Sequence, residues 1–153
     1  MITLLLSIVQ IVRRFYWWLV RPTTRGVRAI VVNQVGEVLL VRHTYQEGWF
    51  LPGGKNRKHE NDEDALCREL REELGIGVTS TPKKLGEYIN TYEYKKDTIV
   101  VFVVDAFTQK NIKHFEVEKH NFFKPGVLPE RTSPGTQRRI EEWIGKRTIN
   151  NKW

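Results

Sequence analysis

Between Gly54 and Ile76 the chain reads GKNRKHENDEDALCRELREELGI, which sets Glu69, Glu72 and Glu73 within five consecutive positions. In a helix, residues three and four apart share a face. Glu69 and Glu73 then stack one turn apart, with Glu72 beside Glu69. Three anions on one face repel one another, and a fold can accommodate them in two ways. One is a solvated lattice in which Arg68 and Arg71 alternate with the acids. The other is a hard divalent cation, for which oxygen-only ligands favour Mg²⁺ or Mn²⁺. Carboxylate spacing alone favours the lattice, since charge runs are usually solvated.

The flanking pattern reads as strands and turns. Val27–Val32 and Glu37–Val41 enclose Asn33-Gln34-Val35-Gly36, a hairpin turn. Asp62 or Asp64 is placed to cap the acidic helix, and Gly75 with Gly77 to end it. Leu85–Tyr94 and Thr98–Phe107 read as strands paired around Lys95-Lys96-Asp97, and Asn121–Phe123 as a short strand. Ser133–Lys146 reads as an amphipathic helix with Ile140, Trp143 and Ile144 on one side. This order predicts an α/β fold, a sheet with helices on its faces.

The run from Gly54 resembles the signature of the Nudix hydrolases: Gly, five residues, Glu, seven residues, then Arg-Glu-aliphatic-any-Glu-Glu-any-Gly-aliphatic. Gly54, Glu60, Arg68, Glu69, Leu70, Glu72, Glu73, Gly75 and Ile76 fill every fixed position. Trp49-Phe50-Leu51-Pro52-Gly53-Gly54 is similar to the family's approach to that signature. One departure is His59, where many members carry glycine before the first glutamate. The resemblance implies a Nudix-type α/β/α sandwich with a mixed sheet over residues 22–153. It also implies divalent-metal-dependent attack of water on a phosphorus of a nucleotide's diphosphate linkage. Carried over by position, Glu69, Glu72, Glu73 and the Gly53 carbonyl would ligate Mg²⁺ or Mn²⁺. Glu60 and Arg68 would hold those carboxylates in place, and Gly54 and Gly75 would shape the loops. Glu72, Glu116 or Glu118 would serve as general base. Arg42 is a candidate phosphate contact, and Trp49 a candidate for stacking on a base. Tyr92 and Tyr94 lie roughly where some dinucleoside polyphosphate hydrolases keep a tyrosine. Two alternatives stay open: hydrolysis at an RNA 5′ end, suggested only by the basic charge, and a non-catalytic nucleotide-binding module of the same fold.

Composition bounds the rest. The chain has 153 residues, a net charge of +7 and a single cysteine. That length suits one domain. The lone Cys67 excludes an intrachain disulfide and fits a reducing, cytoplasmic compartment. Seven of the 18 acidic residues fall within Glu60–Glu73, so the remainder is more basic than the sum indicates. Basic surface favours polyanions, yet no nucleic-acid-binding motif is present.

Residues 1–21 form a block apart. Ile2 to Val12 is almost wholly apolar, followed by Arg13-Arg14 and then Phe15-Tyr16-Trp17-Trp18-Leu19-Val20. Thr3, Ser7, Gln10 and Arg14 make a narrow polar stripe on an otherwise apolar helix. The apolar run is too short to span about 30 Å of hydrocarbon. Two readings remain: an interfacial anchor on an anionic membrane, with Arg13, Arg14, Arg21, Arg25 and Arg28 facing lipid, or a helix packed on the domain or on a second subunit of a homodimer. The first would place a cytoplasmic protein peripherally at the inner face of a membrane.

Overall fold

The computed structural model describes residues 23–92 and 95–153, together with Ile11, Val12, Phe15, Tyr16 and Val20. The helix expected over residues 1–21 therefore lies almost wholly outside the described residues, as do Tyr94 and the side chain of Tyr92. The five described positions before Thr23 are helical and exposed. No helix among the described residues is long and apolar enough to cross a membrane.

Seven strands and two helices follow one another as β1 (Thr23–Val31), β2 (Val38–His43), α1 (Asp62–Leu74), β3 (Ile76–Val78), β4 (Lys83–Tyr92), β5 (Lys95–Val104), β6 (Phe107–Gln109), β7 (Val117–Phe123) and α2 (Pro134–Trp143). β5 lies between β1, to which it is parallel, and β4, to which it is antiparallel. The sheet is thus mixed. β2 pairs antiparallel with β7, and β3 with β6. Single bridges, Val32 to Val38 and Val41 to Phe50, join these pieces.

Strand alternation sends successive side chains to opposite faces, and both faces are covered. Val27, Ala29 and Val31 of β1 point with Val100, Phe102 and Val104 of β5 onto Ala65, Leu66, Leu70 and Leu74 of α1. Ile30 and Val101 point the other way, onto Ile140 of α2, where Trp49, Leu51 and Tyr88 also pack. This is the expected α/β/α sandwich, with α1 and its carboxylates on one face.

The boundaries differ from expectation where tertiary pairing supplies partners that local sequence does not show. Lys95-Lys96-Asp97 belongs to β5 instead of a turn, because Lys96 and Asp97 pair with Thr23 and Thr24 of β1. Tyr92 and Lys95 are the last pair between β4 and β5. Gly77 does not end α1; it pairs with Thr108 in β3. The cap of α1 is Asn61, whose Oδ1 accepts the Asp64 amide at 2.8 Å. Asp62 is instead bound by Arg25, at 2.7 Å and 2.8 Å. Arg25 also bonds Glu87, so this arginine ties β1 to both α1 and β4. The hairpin turn lies where expected: Asn33 Oδ1 accepts from the amides of Val35 and Glu37, and Gly36 adopts φ 81°.

α2 carries a buried polar knot. The Arg139 side chain is fully buried, donates to Glu142 at 2.9 Å and to the Lys152 carbonyl at 2.8 Å, and lies 3.8 Å from the Tyr88 ring centroid. Tyr88 donates its hydroxyl to the other Glu142 oxygen at 2.8 Å. The segment Asn151–Trp153 is held against β4 by bonds from Ile89 to Asn151 and from Trp153 to Ile89. Removing one partner of such a pair strands the other as a buried charge. Arg139→Leu should therefore lower stability by about 3 kcal/mol or more. Arg139→Leu/Glu142→Leu should recover much of that loss, as urea unfolding of both variants would show.

Candidate active site

The approach to α1 is built against the edge of β1. The Val27 amide donates to the Gly54 carbonyl and the Ala29 amide to the Pro52 carbonyl, both at 2.9 Å, and Asn56 donates back to Arg25. The contact is too close for side chains. A Cβ on Gly53, at φ 135°, would come 2.2 Å from the Val27 carbonyl. A Cβ on Gly54 would meet the Glu69 carboxylate at 2.4 Å. The two glycines let Glu69 lie directly on the loop backbone.

The loop from Lys55 to Glu60 then turns into α1. His59, standing where glycine is common in the signature, adopts φ 65°. The left-handed turn is thus made by histidine, a residue that tolerates this region better than most. At the other end Gly75, at φ 65°, returns its amide to Arg71 and Leu70.

Arg68 organises what lies between. Its Nε and Nη2 grip both oxygens of Glu60 at 2.7 Å and 2.9 Å. Nη1 donates to Glu69 at 2.7 Å and reaches Glu72 at 3.4 Å, and Nη2 also binds the Lys55 carbonyl at 3.0 Å. A bidentate, largely desolvated fork of this kind fixes position as well as charge. Arg68 holds the Glu60 carboxyl down at about 2, helped by the Arg57 amide. Arg57 caps the outer side of Glu72 at 3.3 Å.

Glu73 stands in contrast. It is 5% exposed, and its Oε2 has no hydrogen-bond partner. Burial first, and then the charge of Glu69, raise its carboxyl to about 7, offset in part by Arg28 and the Gly53 backbone amide. Arg28, on β1, is half-buried and acts on Glu73 and Glu69; burial lowers its pKa while those carboxylates raise it. Its charge thus acts on the Glu73 and Glu69 carboxylates. Nothing in its local sequence shows this approach.

Glu69, Glu72, Glu73 and Arg68 line one groove, with Lys55 and Arg57 at one end. His114-Phe115-Glu116, the segment leading into β7, lines the same groove. Of the two later glutamates, Glu116 therefore shares the groove with the α1 carboxylates. Glu118 instead pairs with Arg42 at 3.2 Å, both side chains half-exposed. Arg42 lies 6.0 Å from the Trp49 ring centroid and flanks a separate hollow with Trp49 and Arg131. Trp49 is 9% exposed and packs edge-on against Phe123 at 4.9 Å, in the core on the α2 side. Neither Arg42 nor Trp49 reaches the groove, because their strand positions direct them away from α1. The Cys67 thiol is raised by burial, opposite to the direction an activated nucleophile needs.

Among the described residues no three acidic, histidine or cysteine side chains converge as a ready metal cage. Arg68 accounts for this, since it draws Glu69 and Glu72 toward itself. The donor set nonetheless fits a hard cation. It is all oxygen, and the unpartnered Glu73 oxygen and raised Glu73 carboxyl mark a buried anion short of positive charge.

A family model described as the NUDIX domain matches residues 22–144. A Bacillus subtilis (strain 168) protein named "Putative 8-oxo-dGTP diphosphatase" is 28% identical over 120 residues, covering 78% of this chain and 79% of that protein. An RNA pyrophosphohydrolase of Ectopseudomonas mendocina is 44% identical over 51 residues, 33% of this chain and 32% of that protein. Among solved structures, a MutT NUDIX hydrolase from Burkholderia pseudomallei superposes with a TM-score of 0.69 at 26% identity, covering 78% of this chain and 96% of that one.

The Glu73 carboxyl gives a pH test. Its pKa rises on folding from 4.5 to about 7, so the folded state holds a proton that the unfolded chain releases. In metal-free protein, this contribution to stability is complete below pH 4.5 and is lost as pH rises through about 7. His43, lowered by burial, acts with the opposite sign over part of that window. The measurement is therefore a difference: in EDTA, Glu73→Gln should gain stability over the native chain as pH is raised from 5 to 7.5. Parallel urea curves for the two proteins across that range would refute the assignment.

Proposed function

The chain belongs to the NUDIX domain family and is a pyrophosphohydrolase, and from that premise we propose that it cleaves the diphosphate linkage of a nucleoside triphosphate by divalent-metal-dependent attack of water on phosphorus. The observation that carries this reading is one groove that Glu69, Glu72 and Glu73 line together with Glu116. Glu69, Glu73, Glu72 and the Gly53 carbonyl would hold Mg²⁺ or Mn²⁺, which when bound supplies charge neutralisation of the phosphate oxygens and a more acidic water.

The chain's own groups do the rest. Arg68 and Glu60 keep Glu69 and Glu72 on the groove side of α1. Lys55 and Arg57 give the groove a cationic end suited to the phosphate that leaves or stays. Glu116, which lines the groove with the carboxylates, is the better placed of the two later glutamates to take a proton from water, with Glu72 as the alternative. A nucleoside triphosphate is supported by the name of the Bacillus subtilis relative. Cleavage at a triphosphorylated RNA 5′ end is the second reading, supported by the 44% identical segment of the RNA pyrophosphohydrolase.

Residues 1–21 carry the membrane part of the proposal. Ile11, Val12, Phe15, Tyr16 and Val20 each expose 49% or more, and Arg13, Arg14 and Arg21 lie among them in sequence. Apolar and aromatic surface beside arginines suits an anionic interface. Full-length protein should float with phosphatidylserine vesicles and a chain starting at Pro22 should not; recovery of both in the soluble fraction would rule this out.

The test of the reaction is a panel of normal and oxidised nucleoside triphosphates, ADP-ribose, nucleotide sugars, dinucleoside polyphosphates and triphosphorylated RNA, each with Mg²⁺, Mn²⁺ or EDTA. Turnover should appear on a triphosphate, vanish in EDTA, and fall by roughly 10²–10⁴-fold in Glu72→Gln and Glu116→Gln, while Glu118→Gln stays near the native rate. No metal-dependent release on any substrate would favour a binding module.

A further inference from the structure

Two aromatic rings stand uncovered beside the groove. Phe115 is 80% exposed and lines it next to Glu116, and Tyr45 is 68% exposed. Each ring lies flat on an imidazole: Phe115 on His114, with centroids 4.7 Å apart and planes at 27°, and Tyr45 on His43, at 5.0 Å and 19°. His43 is nearly buried and rests in turn on Phe50 at 5.7 Å. The rings are therefore supported from behind while their outer faces meet solvent.

The same two histidines hold the backbone of Glu116. The Glu116 amide donates to His114 Nδ1 at 3.3 Å, and His43 Nδ1 lies 3.4 Å from the Glu116 carbonyl. Thr44 clips the two loops together, its amide donating to the Glu116 carbonyl at 3.0 Å and its hydroxyl to the Phe115 carbonyl at 3.1 Å. Tyr45 follows Thr44 directly, so the same clip holds it beside Phe115 and Glu116.

A nucleotide has a polyanionic end and a planar end. The α1 carboxylates, with a cation, suit only the first. The planar end needs a π-surface within reach of the same groove, and Trp49, the residue whose sequence position suggested that role, is packed in the opposite core. We propose that Phe115 and Tyr45 form the nucleobase platform of this site, a base stacking on their exposed faces while its phosphates lie at Glu69, Glu72 and Glu73. This rests on the pyrophosphohydrolase reading. Stacking of this kind tolerates different bases, because every base has a π-face.

The experiment titrates the full-length chain, with Ca²⁺, using 2-aminopurine riboside triphosphate, whose fluorescence is quenched on stacking. Inorganic tripolyphosphate is titrated in parallel by displacement. The native chain should quench the probe saturably. Tyr45→Ala and Phe115→Ala should each weaken its binding about tenfold or more, equivalent to about 1.4 kcal/mol, with tripolyphosphate affinity unchanged and Tyr45→Phe near native. Both rings are exposed, so circular dichroism should show the variants folded. Alanine variants that bind the probe like the native chain, or that lose probe and tripolyphosphate equally, would overturn the platform. Quenching without metal-dependent hydrolysis would uphold the platform and overturn the hydrolytic reading. Hydrolysis with unaltered alanine variants would do the reverse.

Discussion

The Arg68 guanidinium is the constraint around which the site is arranged. One planar group binds both oxygens of Glu60, one oxygen of Glu69, the near side of Glu72 and the Lys55 carbonyl. Four of the elements that must agree, the loop entering α1 and three carboxylates on or before it, are thereby held to one atom cluster. Lysine could not do this, since a point charge lacks the fork that matches a carboxylate edge. The arrangement also cancels charge. Without Arg68, Glu60, Glu69 and Glu72 would repel one another along a helix that carries further acids in its first turn.

The helix bearing these acids is fixed by apolar contacts on its other side. Ala65, Leu66, Leu70 and Leu74 alternate with the carboxylates at helical spacing and press onto β1 and β5. β1 has a second task, since its backbone pairs with Pro52 and Gly54. The same strand thus sets the height of α1 above the sheet and the position of the Gly53–Gly54 backbone beneath Glu69. This double use explains why no Cβ fits at either glycine. A shift of one residue in β1 would turn Val27 and Ala29 away from α1 and move the loop backbone with them.

What could be read from the chain follows from how local each constraint is. The α1 carboxylates, Arg68 and the flanking glycines are related by helix geometry over one short run, so their spacing carried both structure and site. The hairpin at Asn33 was legible for the same reason. Pairings across the sheet were not. Lys95-Lys96-Asp97 reads as a turn until β1 offers it parallel partners, and three-residue strands such as β3 and β6 leave too little pattern to detect. Arg25 and Arg28 read as surface cations because nothing nearby in sequence shows that Asp62 and Glu73 approach them. Glu116 precedes β7 and lines the groove, whereas Glu118 lies within β7 and pairs with Arg42. Trp49, the candidate for stacking on a base, is committed to the α2 side of the sheet, while Tyr45 projects from the loop beyond β2.

The pairing of Glu69 and Glu72 with arginines bears on how such a site functions. Carboxylates that are to bind a hard cation cannot be left bare, because their mutual repulsion would act against folding. They also cannot be bound so tightly that a cation fails to displace the partner. The geometry divides these demands. Glu60 takes the strongest, bidentate grip of Arg68, while Glu72 is held at 3.4 Å and 3.3 Å by two separate arginines. Glu73 receives no such partner at Oε2 and stays partly protonated near neutral pH, its carboxyl at about 7. The ion pairs on Glu69 and Glu72 thus occupy the same carboxylates that would hold a cation. Glu69, Glu72 and Glu73, which already line the groove, would hold such a cation there, with Glu60 still anchoring Arg68.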